Sequence, residues 1–81
     1  MILATLDRFG YDLTVLAENE EEAEKLLMEE YEMHFRVANN GDNPREETAD
    51  DYHTDLSYYD FAKECIKYRE LEVGKVEYIT I

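Results

Sequence analysis

The sequence predicts an α+β fold, a small antiparallel sheet with two helices packed on one face, in the order β-hairpin, helix, loop, helix and C-terminal strand. Three observations predict it. Apolar residues alternate with period two at both ends of the chain. They recur with helical period in two middle segments. Between those helical segments, one long stretch follows neither period. The 81 residues suffice for a single domain, residues 1–81, with one modest core.

The hairpin occupies residues 2–17. Ile2, Ala4 and Leu6 alternate with Leu3, Thr5 and Asp7, and Tyr11, Leu13, Val15 and Ala17 alternate with Asp12 and Thr14. Gly10 lies between the two runs and supplies a turn. Asn19 followed by Glu22 has capping-box spacing, which opens a helix over 19–36. Met33, Leu26, Val37, Ala23, His34 and Leu27 share one arc of that helix, and Tyr31, Phe35 and Met28 widen it past half the circumference. So wide an arc exceeds what one flat sheet covers. The edge formed by Met28, Tyr31 and Phe35 is therefore expected to meet a second helix, a partner, or the same face of a homodimer mate.

Residues 38–54 read as an acidic loop. Asn39, Asn40, Gly41, Asp42, Asn43 and Pro44 stack turn-forming residues, and Thr48–Tyr52 has room for a short helical turn. Ser57 and Asp60 repeat the capping spacing and open a second helix over 57–68, with Tyr58, Phe61, Ala62, Cys65 and Ile66 on its apolar arc. Residues 69–81 return to strand character, and the parity of the apolar residues changes at Gly74. A bulge or a tight hairpin there explains the change. The hairpin would oppose Glu72 and Glu77, so one long bulged strand is favoured.

The charge distribution is uneven. The chain has 21 acids against 8 Lys and Arg, a net charge of −13. Residues 18–32 hold eight acids against Lys25, and residues 42–64 hold eight against Arg45 and Lys63; elsewhere acids and bases balance. The first cluster has a structural account. Glu20, Glu21 and Glu22 complement a helix N-terminus, and Glu21–Lys25 and Glu32–Arg36 are spaced as i,i+4 pairs. The second has none, so the functional expectation falls on Asp42, Glu46, Glu47, Asp50, Asp51, Asp55 and Asp60, with Tyr52, Tyr58 and Tyr59 interleaved to stack on a partner's arginines.

Motifs that carry chemistry are lacking. Cys65 is the only cysteine, which rules out an intrachain disulfide, and on an apolar arc it reads as a buried inert thiol. His34 reads as a structural histidine. His53 neighbours Asp50, Asp51 and Asp55, but the stretch lacks the spaced acids and glycine of a calcium loop, so no metal and no cofactor is expected. Phosphate loops, nucleophile elbows and zinc spacings are missing as well. The expectation is a non-enzymatic, cytoplasmic protein with no signal peptide and no membrane span.

Strong negative charge repels nucleic acids and anionic membranes and favours a basic protein surface as the partner. In size, charge and lack of a catalytic motif the chain resembles small acidic phage and mobile-element proteins of the anti-CRISPR and antirestriction kind, although no residue motif carries the likeness. What this implies is an inhibitor that occupies the basic groove of a nucleic-acid-handling protein as a DNA mimic. The alternatives are a small-molecule sequestering or sensing protein with a site at a homo-oligomer interface, and a structural interaction protein.

Overall fold

A computed structural model describes residues 1–8, 11–72 and 74. The protein is α+β: a three-stranded antiparallel sheet with two helices packed on it. The chain runs β1 (Ile2–Arg8), β2 (Tyr11–Ala17), α1 (Glu20–Ala38), a 3-10 turn (Asp50–Tyr52), α2 (Tyr58–Glu64) and β3 (Lys67–Glu70). The strand order is β2-β1-β3, so β1 is central. The turn expected at Gly10 and most of the strand expected over 69–81 lie outside the described residues. Gly74, described as a single position, has φ +81, a backbone conformation that favours glycine.

Register fixes which residues enter the core. Ile2, Ala4 and Leu6 pair with Ala17, Val15 and Leu13 on one side, and Ala4 pairs with Tyr68 on the other. Since side chains alternate across a strand, these residues share one face of the sheet. That face joins Ala23, Leu27, Met28, Tyr31 and Phe35 of α1, Ala62 of α2 and Ile66 in a single buried cluster. Leu3 has the opposite parity and is also buried, flanked in the ladders by Leu16 and Arg69.

Both ends of α1 are closed by side chains and turns. The Glu22 backbone N–H donates to Asn19 Oδ1 at 2.8 Å, so Asn19 is the N-cap. At the other end Asn40 takes a left-handed conformation, φ 56, and the Gly41 N–H reaches back to the Arg36 carbonyl at 2.7 Å. This is a Schellman ending, and Gly41 itself sits at φ +89.

The second helix stops at Glu64 and does not run to Tyr68 as expected. The Cys65 N–H turns back to the Ala62 carbonyl at 2.9 Å, and Lys67–Glu70 then pair with β1. The helical period of the sequence continues through Ile66, but the unpaired edge of β1 supplies a ladder that a continued helix would leave empty. Cys65, expected inside the arc, is half-buried at the helix end.

Of the covers expected for Met28, Tyr31 and Phe35, which included a homodimer mate, the structure supplies the second helix, and all three are buried in this chain's own core. The wide arc of α1 is covered from within. The Phe35 ring packs against Tyr58 of α2 at 5.2 Å between centroids and against Tyr31 at 6.0 Å. What α1 leaves exposed is a different strip, Leu26, Met33 and Val37.

This burial pattern predicts unequal costs along one helix. Leu27→Ala, which empties a buried site, is expected to cost about 2–5 kcal/mol. Val37→Ala, at 80% exposure, is expected to change stability by less than about 0.5 kcal/mol. Urea denaturation of the two variants measures the difference.

Candidate functional site

The 42–64 segment is built as a cap on the α1–α2 pair. Structure enters residues 38–54 through backbone hydrogen bonds. The Tyr59 N–H donates to the Pro44 carbonyl at 3.0 Å, and the Tyr58 N–H donates to the Glu47 carbonyl at 2.8 Å. The Ala49 N–H donates to the Leu56 carbonyl at 2.9 Å, beside an antiparallel bridge between Thr48 and Ser57. These contacts resolve a problem at the start of α2. The first N–H groups of a helix have no partner within the helix. Here two of them are taken by loop carbonyls, the Asp60 N–H by Ser57 Oγ at 3.2 Å, and the Phe61 N–H by the Ser57 carbonyl at 2.9 Å. Loop and helix start therefore satisfy each other, and Pro44 and Ala49 are buried beneath them.

Side chains fasten the same cap to α1. Glu32, on the α1 surface, accepts from Arg36 Nη2 at 3.0 Å and from Arg45 Nε and Nη2, both at 3.3 Å. The Arg45 guanidinium also lies over the Tyr59 ring, 4.1 Å from its centroid. One arginine thus joins α1, the loop and α2. The hydrogen bond from Arg36 is the main cause that holds the Glu32 carboxyl below its ordinary pKa, with Arg45 adding to it and partial burial opposing. A second tie, Lys63 Nζ to Glu24 Oε1 at 3.3 Å, crosses from α2 to α1.

The sequence-predicted residues divide into two groups. The acids Asp42, Glu46, Glu47, Asp50, Asp51, Asp55 and Asp60 are all exposed. The tyrosines, expected to offer their rings to a partner, are engaged within the chain. Tyr58 is half-buried against Phe35, and its hydroxyl donates to Asp51 Oδ2 at 3.2 Å. Burial first, and then the Asp51 charge, push the Tyr58 phenol above its ordinary pKa. Tyr59 carries Arg45 on its ring, and Tyr52 stacks on Phe61 at 5.4 Å while staying 40% exposed. Sequence reasoning missed Glu32, Pro44 and Arg45 as the parts that set this cap. The available signal was that Arg45 is one of only two bases among eight acids.

Other chemistry-bearing residues are placed as follows. His34 Nε2 is 3.6 Å from Glu30 Oε2 on the same helix, half-exposed. His53 closes the 3-10 turn in a left-handed conformation, φ 57. Among the described residues no three His, Cys, Asp or Glu side chains converge as a metal site, and no helix is long and apolar enough to cross a membrane. No family model matches the chain, and neither a curated protein nor a solved structure matches it.

Two predictions come from this geometry. Arg45→Ala is expected to destabilise the fold by about 1 kcal/mol, from one cation–π contact and one partly exposed ion pair. It should also accelerate amide exchange at Tyr58 and Tyr59, read by hydrogen-exchange NMR. Because the folded Glu32 pKa is lowered, the stabilisation by this clamp is present above the ordinary carboxylate value and is lost as pH falls through the folded value. Glu32→Gln should therefore flatten the acid limb of stability against pH.

The phenol of Tyr58 works in the opposite sense. Its folded pKa is raised, so the associated stability is present below the ordinary phenol value and is lost as pH rises through the folded one. Asp51→Asn is expected to bring the Tyr58 titration down toward the ordinary value without reaching it, because burial remains. Following the tyrosine ring carbons by NMR across alkaline pH checks this.

Proposed function

We propose that this protein is a non-catalytic binding protein that presents the acids of its 42–64 cap to a basic protein surface. The best-fitting target is the nucleic-acid groove of a DNA- or RNA-handling protein, which the cap would block as small acidic phage and mobile-element inhibitors do. One observation carries the reading: seven exposed acids sit on a backbone-anchored cap whose arginine is consumed by Glu32 and Tyr59. Duplex DNA presents one charge per ~1.7 Å of its axis, and a groove built to meet that density is attracted to any dense, fixed array of carboxylates. A fixed array matters because side chains already ordered lose less entropy on binding.

Apart from Asp51, which accepts from the Tyr58 hydroxyl, none of the seven acid side chains takes part in the packing described above. They are exposed on an anchored segment, and their mutual repulsion opposes folding. The other reading, a small-molecule site at a homo-oligomer interface, draws no support from Met28, Tyr31 and Phe35, the edge expected to meet a homodimer mate, because those side chains are in the core.

The experiment is retention of host proteins on the immobilised chain at low salt, followed by elution with rising salt and competition by duplex DNA. A basic nucleic-acid-binding protein that elutes at moderate salt and is displaced by DNA is the expected result. The triple change Asp50→Asn, Asp51→Asn and Asp55→Asn should weaken that retention roughly tenfold, at about 0.5 kcal/mol per exposed ion pair. Retention that ignores both salt and the triple change would overturn the proposal.

A further inference from the structure

A second surface, separate from the acid cap, lies where α1 overhangs β2. Strand β2 pairs with β1 along one edge, and among the described residues no strand pairs with its outer edge. A groove runs between that strand and α1, lined by Asp12, Leu13, Val15, Leu26, Glu29 and Glu30 together with Thr14 and Leu27. Among the described residues no Lys or Arg lines it. Farther along α1, on the same helical stripe, Met33 is 51% exposed, and Val37 is exposed beyond it. From Leu26, Met33 and Val37 lie seven and eleven positions on, which is helical spacing. An apolar strip, a rim of acids and a strand edge left unpaired among the described residues thus coincide.

Each feature restricts what fits. An open edge offers backbone donors and acceptors, and these are satisfied by another extended segment. The apolar floor requires that segment to turn apolar side chains toward α1. The rim of Asp12, Glu29 and Glu30 requires positive charge on it. A second copy of this chain fails the last condition. It would bring its own Asp12, Glu29 and Glu30 to the same place, and each copy has a net charge of −13. The helix side of the groove differs from the cap side in this respect, since Arg36 and Arg45 are both held by Glu32 toward the loop.

We propose that the β2 edge and the overhanging Leu26–Met33–Val37 strip bind an extended protein segment that alternates apolar and Lys or Arg residues, added as a fourth strand. The apolar positions face α1, and the basic positions, turned to the opposite face of the sheet, lie beside Asp12, while Glu29 and Glu30 on the α1 side add to the attraction for a positively charged segment. This surface is independent of the cap acids, so either can fail without the other.

The test uses the full chain and a synthetic heptapeptide of alternating Lys and Val, with two controls. One control replaces every Lys by Glu. The other replaces the central residue by Pro, which breaks a ladder. Backbone NMR shifts are read during titration. The expected result is perturbation over 12–16 and 26–37 by the Lys-Val peptide, little by the Pro peptide and none by the Glu peptide. Leu26→Lys combined with Glu29→Lys is expected to weaken binding by about tenfold or more, through lost apolar contact and reversed charge. Both positions are exposed, and circular dichroism verifies that the fold is kept. Met33→Lys provides a second variant should that pair unfold. Shifts confined to 42–64, equal binding of the Pro peptide, absence of binding, or self-association of the chain through this face each overturn the proposal.

Discussion

The width of the apolar arc on α1 is the constraint that the rest of the structure answers to. A helix on a three-stranded sheet needs one apolar stripe. This helix buries Ala23, Leu27, Met28, Tyr31 and Phe35, which is more than the core face of the sheet can cover. The remainder requires a second surface, and α2 with its preceding loop supplies it through Tyr58 and Ala62. A seven-residue helix has little stability by itself. It persists because its orphan N–H groups are met by loop carbonyls and because its rings pack on α1. Helix, loop and arc are thus one cooperative unit, and Phe35 is the point where they meet.

Charge is arranged around that unit and does not drive it. The acids of the first cluster sit at a helix start or opposite bases, where they are neutral or mildly stabilising. Those of the second are a net liability to folding, offset by apolar burial and by the ties at Arg45 and Lys63. A clamp of this kind has geometric value beyond its energy. Arg45 meets a carboxylate on one helix and an aromatic face on another, so it ties the loop to both helices. Lysine would supply the charge without the planar fork.

The parts of this fold that depend on local pattern were legible in the sequence. The period-two runs gave the sheet, and Asn19 and Ser57 marked both helix starts through their cap spacing. What depends on tertiary competition was not. Ile66 and Tyr68 continue a helical period, yet the open edge of β1 takes Lys67–Glu70 as a strand. The wheel of α1 showed that Met28, Tyr31 and Phe35 needed a cover, but a wheel does not say whether the cover comes from the same chain. The loop contacts were hidden for another reason. They run through the carbonyls of Pro44 and Glu47, and a carbonyl is the same in every residue. At the candidate site the acids were legible because exposure is the default for carboxylates. The tyrosines carry two readings, because a ring that suits an interface suits packing within the chain equally well: Tyr58 and Tyr59 are half-buried, and Tyr52 stacks on Phe61 while staying exposed.

Two surfaces of one small chain then differ in the physics that would recognise them. The cap offers exposed charge on a backbone-anchored segment, so recognition there, under the proposed function, would be electrostatic, fast and sensitive to salt. The β2 edge offers backbone hydrogen bonds over an apolar floor, which salt screens far less. A partner that engaged the cap alone would be chosen by charge density and by little else. Sequence selectivity needs pockets for particular side chains, and under the strand-addition proposal the groove beneath α1 would provide them. If a single target carries both a basic groove and a basic-apolar strand, the two contacts would reinforce each other through effective concentration. Specificity would then come from the edge and the rate of encounter from the cap.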